Sequence, residues 1–180
     1  MRENPRTGAT RTALLNAALD VAAENGVKGV THRRVATAAG LSLGLTSYYF
    51  SSLDDLMLEA FRLFVATTSS RYEEHFGAAR DRDGVVEAAV AVVNALKDSQ
   101  RDRTLLYELY AQSVRDPAYR DIVTRWSRAA RAEVEKLYSP RTARFLEAAW
   151  EGINAQMIYD PTSRSDDDHR ELFRMILARS

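Results

Sequence analysis

Apolar residues recur every three or four positions along almost the whole chain, the spacing of helices that each bury one face. Over residues 11–24, Leu14, Leu15, Ala18, Leu19 and Ala22 fall on one such face, and Asn25-Gly26 ends the segment. Thr31 then opens a second helix as its N-cap, with Val30 and Val35 at the positions of a hydrophobic staple. This helix is predicted to run to Ala39 and to stop at Gly40. A third, very short helix starts near Ser42 and is over by Phe50. Ser52 with Asp55 forms a capping-box pattern that opens a longer helix toward His75.

The pattern continues through the rest of the chain. "GAARDRDG" and "DSQRDR" read as polar breaks on either side of a mostly apolar helix, 85–97. Further helices are predicted over 104–115, 117–138 and 139–159, with Pro117 suited to a first turn. "DPTSRSDDD", 160–168, reads as a loop, and its acidic run as a solvated helix start rather than a metal site. A last helix over 169–179 follows. No alternating apolar and polar run bounded by turn residues marks a strand. The expectation is an all-α protein of eight or nine helices.

Two short helices joined by a tight, glycine-containing turn, 31–50, form a helix-turn-helix pattern. In that arrangement the first helix braces the second, which enters the major groove of DNA. The leading edge of the second helix, Ser42, Leu43, Gly44, Leu45, Thr46 and Ser47, carries little bulk and several hydroxyls. A leucine there can touch a thymine methyl. Tyr48 and Tyr49 can reach phosphates. Thr31 opens a helix whose free N–H groups suit a phosphate, and His32, Arg33 and Arg34 stand beside it. The same spacing also fits a plain hairpin in a helical bundle, with buried tyrosines and solvated arginines.

Charge sharpens this picture slightly. Residues 1–50 carry six Lys/Arg against three Asp/Glu, and residues 51–180 carry 19 against 22, so a basic head precedes an acidic body. Composition is that of a globular protein, with 46% hydrophobic and 28% charged residues. With no cysteine there is no disulfide framework and no thiolate metal site. The N-terminal stretch does not read as a secretory signal, and the most apolar stretch, 85–96, is too short to span a bilayer. A soluble, cytoplasmic protein is expected. His32, His75 and His169 show no metal-ligand spacing, "YEEH" at 72–75 is no di-iron pattern, and no phosphate loop, dinucleotide fingerprint or nucleophile elbow is present. The sequence offers no cofactor site and no reason to expect an enzyme.

From about Thr10 to Phe61 the chain resembles the DNA-binding domain of the TetR family of transcriptional repressors. The resemblance is carried by Ala17-Ala18, Glu24-Asn25-Gly26, Thr31 with Val35-Ala36, "AAGLSLG" at 38–44, Tyr48, Phe50, Ser52 and Leu56. It implies a DNA-binding domain, 1–55, and a helical effector-binding and dimerisation domain, 56–180. It also implies a homodimer on a palindromic operator, released by a small-molecule effector. The chain departs from the family pattern at Ser47, where a tyrosine is usual, at Tyr49, often a histidine, and at Leu53, where many members have a phosphate-contacting lysine. Arg2, Arg6 and Arg11, on or near an N-terminal arm, could replace these phosphate contacts. Leu45-Thr46 is swapped relative to the common order, which leaves open which of the two faces the bases.

For the second domain, polar and aromatic groups on apolar helices are the effector candidates: Asn94, Tyr107, Tyr110, Gln112, Trp126, Trp150 and Asn154. Each aromatic among them fits ordinary core equally well. The resemblance implies that the last two helices pair with their twins from a second chain. Phe145, Ala148, Ala149, Gly152, Ile153, Gln156, Leu172, Phe173 and Ile176 are the expected interface. Gly152 costs a helix roughly 1 kcal/mol against alanine, which close approach of another helix would justify. The alternative reading is a dimeric helical small-molecule-binding protein without specific DNA recognition.

Overall fold

A computed structural model describes residues 5–160 and 165–178. Among these residues there are nine α-helices, one short 3-10 turn and no strand. The helices are α1 Pro5–Asn25, α2 His32–Ala39, α3 Leu43–Tyr49, α4 Leu53–Gly77, α5 Arg82–Lys97, α6 Gln100–Arg115, α7 Pro117–Glu135, α8 Pro140–Tyr159 and α9 Asp166–Leu177. The all-α expectation therefore holds. No described helix is long and apolar enough to cross a membrane.

The helix ends follow local chemistry. Thr31 is extended, and its hydroxyl accepts from the Arg34 N–H at 3.2 Å. Gly40 ends α2 at φ 66°, while Leu41 N–H reaches Ala36 O and Gly40 N–H reaches Thr37 O. This paired return needs the left-handed region that glycine enters without penalty. Ser52 caps α4 by accepting from the Asp55 N–H, but the Asp55 carboxylate bonds the N–H and hydroxyl of Ser51 instead of returning to Ser52. Ser165 and Asp168 form a reciprocal capping box at α9.

Four helix starts lie earlier than the sequence pattern suggests. α1 begins at Pro5, whose fixed backbone angle suits a first turn. α5, expected from residue 85, begins at Arg82 behind its N-cap Asp81, whose side chain accepts from the Gly84 N–H. α6 begins at Gln100, and Arg101 in its first turn pairs with Asp20 of α1 at 2.7 Å. α9 begins at Asp166, with three aspartates in its first turn. Their charge complements the positive end of the helix dipole.

The chain forms two compact units. The first comprises residues 1–66 and 101–123, and the second residues 67–100 and 124–180. In the first, α1 packs against α2 and α2 against α3. Its core includes Leu14, Ala18, Leu19, Val35, Phe50, Leu56, Phe61, Leu105 and Leu109. Val30 and Val35 are both buried, as the staple requires. In the second unit α5 packs against α8 and α9, and α8 against α9. Val86, Ala89, Val93, Leu146, Trp150, Phe173 and Leu177 are buried there.

Candidate nucleic-acid interface and helical body

The short helix α3 owes its placement to a few anchors. Thr46 is 0% exposed, and its hydroxyl donates to Leu43 O at 2.8 Å. Phe50, directly after α3, is buried in the core of the first unit, and Tyr49 packs against that core. The opposite side is presented outward. Leu43 is 48% exposed and Tyr48 77%, with Ser42, Gly44 and Ser47 exposed between and beside them. The Tyr48 ring stands edge-on to Tyr49, 5.0 Å between centroids and 87° between planes. Of the adjacent pair Leu45-Thr46, Thr46 packs inward and Leu45 is half-buried. Thr46 is thus withdrawn from the base-reading set, because its hydroxyl is used inside its own helix.

Thr31, Arg33 and Arg34 are exposed at the start of α2, and His32 is half-buried. The Arg34 guanidinium donates to Gly29 O at 2.7 Å, which fastens α2 to the turn before it. Leu53, at the position where the family often has lysine, is partly buried against the core. Arg11 is not on an arm. It lies inside α1, pairs with Glu59 of α4, and sits 5.3 Å from the Phe50 ring centroid. Its charge is therefore engaged in holding α1, α4 and the end of α3 together. Arg2 and the side chain of Arg6 lie outside the described residues.

The seven effector candidates fall in both units. Tyr107, Tyr110 and Gln112 belong to the first, on α6, where Tyr107 and Tyr110 make an edge contact at 6.1 Å. Asn94, Trp126, Trp150 and Asn154 belong to the second. There Tyr72 stacks on Trp126 at 5.9 Å and lies 6.5 Å from Trp150, and Phe76 lies 5.9 Å from Trp150. Tyr72 and Phe76 were missed from the sequence. Their i, i+4 spacing on α4 was the available signal, but it marks core and pocket alike. Burial, with Glu151 and Glu147 nearby, pushes the Tyr72 hydroxyl pKa well above the ordinary tyrosine value.

Asn154, one turn beyond Trp150, is 1% exposed, and neither its amide nitrogen nor its oxygen has a hydrogen-bond partner among the described residues. A buried amide is normally paired, because leaving it unpaired forfeits its water bonds without replacement. Asn94 is committed elsewhere: its NH2 donates to Asp166 at 2.9 Å and joins α5 to α9. A second network, Ser127 and Arg131 on Glu147 at 2.6 Å each, joins α7 to α8. No cluster of three or more metal-ligating side chains occurs among the described residues.

On α8, Phe145 is 52% exposed, Ala148 and Gly152 are exposed, and Ala149 and Gln156 are half-buried. An added Cβ at Gly152 meets nothing within 4 Å. On α9, Leu172 and Ile176 are half-buried. Ile153 and Phe173 differ from the expectation: both are enclosed by their own chain, where α8 and α9 pack on α5, and do not reach the surface.

An N-terminal three-helix unit with a short exposed helix after a glycine turn defines a helix-turn-helix protein. Residues 14–60 match the family description "Bacterial regulatory proteins, tetR family". Residues 80–179 match "Tetracyclin repressor-like, C-terminal domain". The chain belongs to the TetR family.

Among solved structures, the chain is similar to the regulator SCO7518 of Streptomyces coelicolor A3(2), with 39% identity and a TM-score of 0.85 over 93% of this chain and 97% of that one. It is also similar to the multidrug binding protein EbrR complexed with ethidium, with 29% identity and a TM-score of 0.76 over 97% and 99%. Among curated relatives it is 29% identical over 98 residues to the HTH-type transcriptional repressor KstR2 of Rhodococcus jostii (strain RHA1). That match spans 54% of this chain and 48% of the repressor, about half of each.

Proposed function

We propose that the protein is a cytoplasmic transcriptional repressor that binds a palindromic operator as a homodimer and is released by a small-molecule effector. The observation that carries this reading is α3 itself. It is anchored by Thr46 and Phe50 while it holds Ser42, Leu43, Gly44, Ser47 and Tyr48 outward. The role of KstR2 as a repressor supports the sign of regulation. In a two-fold dimer the two recognition helices meet the major groove about one turn apart, roughly 34–36 Å, or a multiple of it. Residues 1–55 would read DNA and residues 56–180 would hold the effector and the dimer face.

The body supports an effector role through the Tyr72, Phe76, Trp126 and Trp150 cluster and the unpartnered Asn154 amide. EbrR, described as a multidrug binding protein and complexed with ethidium, makes flat aromatic compounds a reasonable first screen. An effector that prefers the conformer unfit for DNA lowers operator affinity by its differential affinity for the two states.

The test is selection of the purified protein on random DNA duplexes, followed by sequencing. An enriched inverted repeat, bound with a steep salt dependence, supports the regulator. Folded dimer that enriches nothing favours the second reading, a dimeric small-molecule-binding protein. The observation behind that alternative is Leu53, which packs on the core where a phosphate-contacting lysine is common.

A further inference from the structure

We propose that Leu43 makes the protein a reader of thymine methyl groups: one thymine in each operator half-site is identified by apolar contact with this side chain. The inference rests on the DNA-reading role proposed above for α3 and names the chemistry that role uses.

The outward face of α3 consists of Ser42, Leu43, Gly44, Ser47 and Tyr48. It carries no arginine or lysine to grip guanine, no asparagine or glutamine to grip adenine, and no carboxylate to accept from cytosine. The bidentate contacts that usually carry direct readout are therefore missing from this face. Its hydroxyls discriminate weakly, because each can donate and accept. What remains is shape and apolar surface, of which Leu43 supplies the exposed aliphatic side chain. The major groove offers one apolar feature, the C5-methyl of thymine.

Leu43 is placed for that contact. It is the first residue of α3, and the N-terminal residues of a recognition helix are those that meet base edges. It is 48% exposed and lies outside the core cluster of its unit, whereas Leu41, Tyr49 and Leu53 pack against that cluster. An apolar side chain held in water at this point has no role within the described fold.

Gly44 points the same way independently. Its backbone needs no positive φ, and an added Cβ would meet nothing within 4 Å. Neither conformation nor internal packing calls for glycine, which is a poor helix former. Clearance is what it provides, letting the backbone beside Leu43 come close to the base edges.

The experiment starts from the enriched operator. Failure to enrich any operator counts against the DNA-reading role itself. With an operator in hand, each thymine is replaced in turn by uracil, which lacks only the methyl. Affinity is expected to fall about fourfold at one symmetry-related pair of positions, per half-site, the worth of one buried methyl-sized group. At the same pair, 5-methylcytosine opposite guanine should bind better than cytosine by a similar factor. Leu43→Ala, which removes a side chain outside the core cluster and is expected to leave the fold intact by its melting temperature, should erase both discriminations. If no thymine responds to loss of its methyl, or if Leu43→Ala discriminates as the parent does, the inference is overturned.

Discussion

The Glu108 carboxylate on α6 accepts a hydrogen bond from the backbone N–H of Val27 at 3.2 Å, across 81 residues of sequence. Val27 opens the 3-10 turn between α1 and α2, so a side chain from the middle of the chain closes the turn that sets up the helix-turn-helix. Its other oxygen stands 3.4 Å from where a Cβ at Gly26 would be. Glu108→Ala leaves this partly buried N–H without its acceptor. It is expected to lower stability by about 1 kcal/mol, measured by urea denaturation. Glu108→Gln, which keeps an acceptor, should recover part of that loss.

Asn154 is predicted to be a position where folding stability is given up. Asn154→Leu keeps the branched shape and removes two unpaired buried polar atoms. It should raise the stability of the ligand-free protein by about 1 kcal/mol. Thermal unfolding decides the point: a lower melting temperature would mean that the amide has partners that the leucine cannot replace.

Asp166 should titrate below the ordinary aspartate range. Its largest cause is the hydrogen bond from Asn94, opposed by some desolvation and helped by Lys97, His169 and Arg170. A folded-state pKa below the unfolded one means that the stabilisation is complete above the unfolded value. It is lost as pH falls through the lower, folded value. NMR titration of the carboxyl carbon checks this, and Asn94→Ala should move the midpoint back up toward the ordinary value.

Gly152→Arg tests the proposed dimer face. The chain itself leaves room for the new side chain, since nothing lies within 4 Å of the added Cβ. Monomer stability should rise by roughly 0.8 kcal/mol, because arginine is a better helix former than glycine. Across a close helix–helix contact the arginine has no space. Sedimentation should show dissociation to monomers, with operator affinity falling at least about tenfold, because one head alone makes half the contacts. A dimer of unchanged affinity would place the interface elsewhere.

The sequence by itself determined the order of the helices and the ends of the short ones that form the helix-turn-helix. Those signals are local: Thr31 and Ser139 accept from N–H groups three residues on, and Gly40 turns left-handed to end α2. Tertiary structure decided what helical spacing leaves ambiguous. Periodicity shows that a helix has an apolar face, but not which neighbour covers it. Leu45 and Thr46 are adjacent, and only the pocket under α3 selected Thr46 for the inside. Ile153 and Phe173 share faces with Ala149 and Ile176, and the packing of α8 and α9 on α5 enclosed the first pair. Arg11 with Glu59, Arg101 with Asp20, and Glu108 with Val27 join residues 48 or 81 positions apart. No local rule connects such pairs, because their contact exists only once the helices between them have packed.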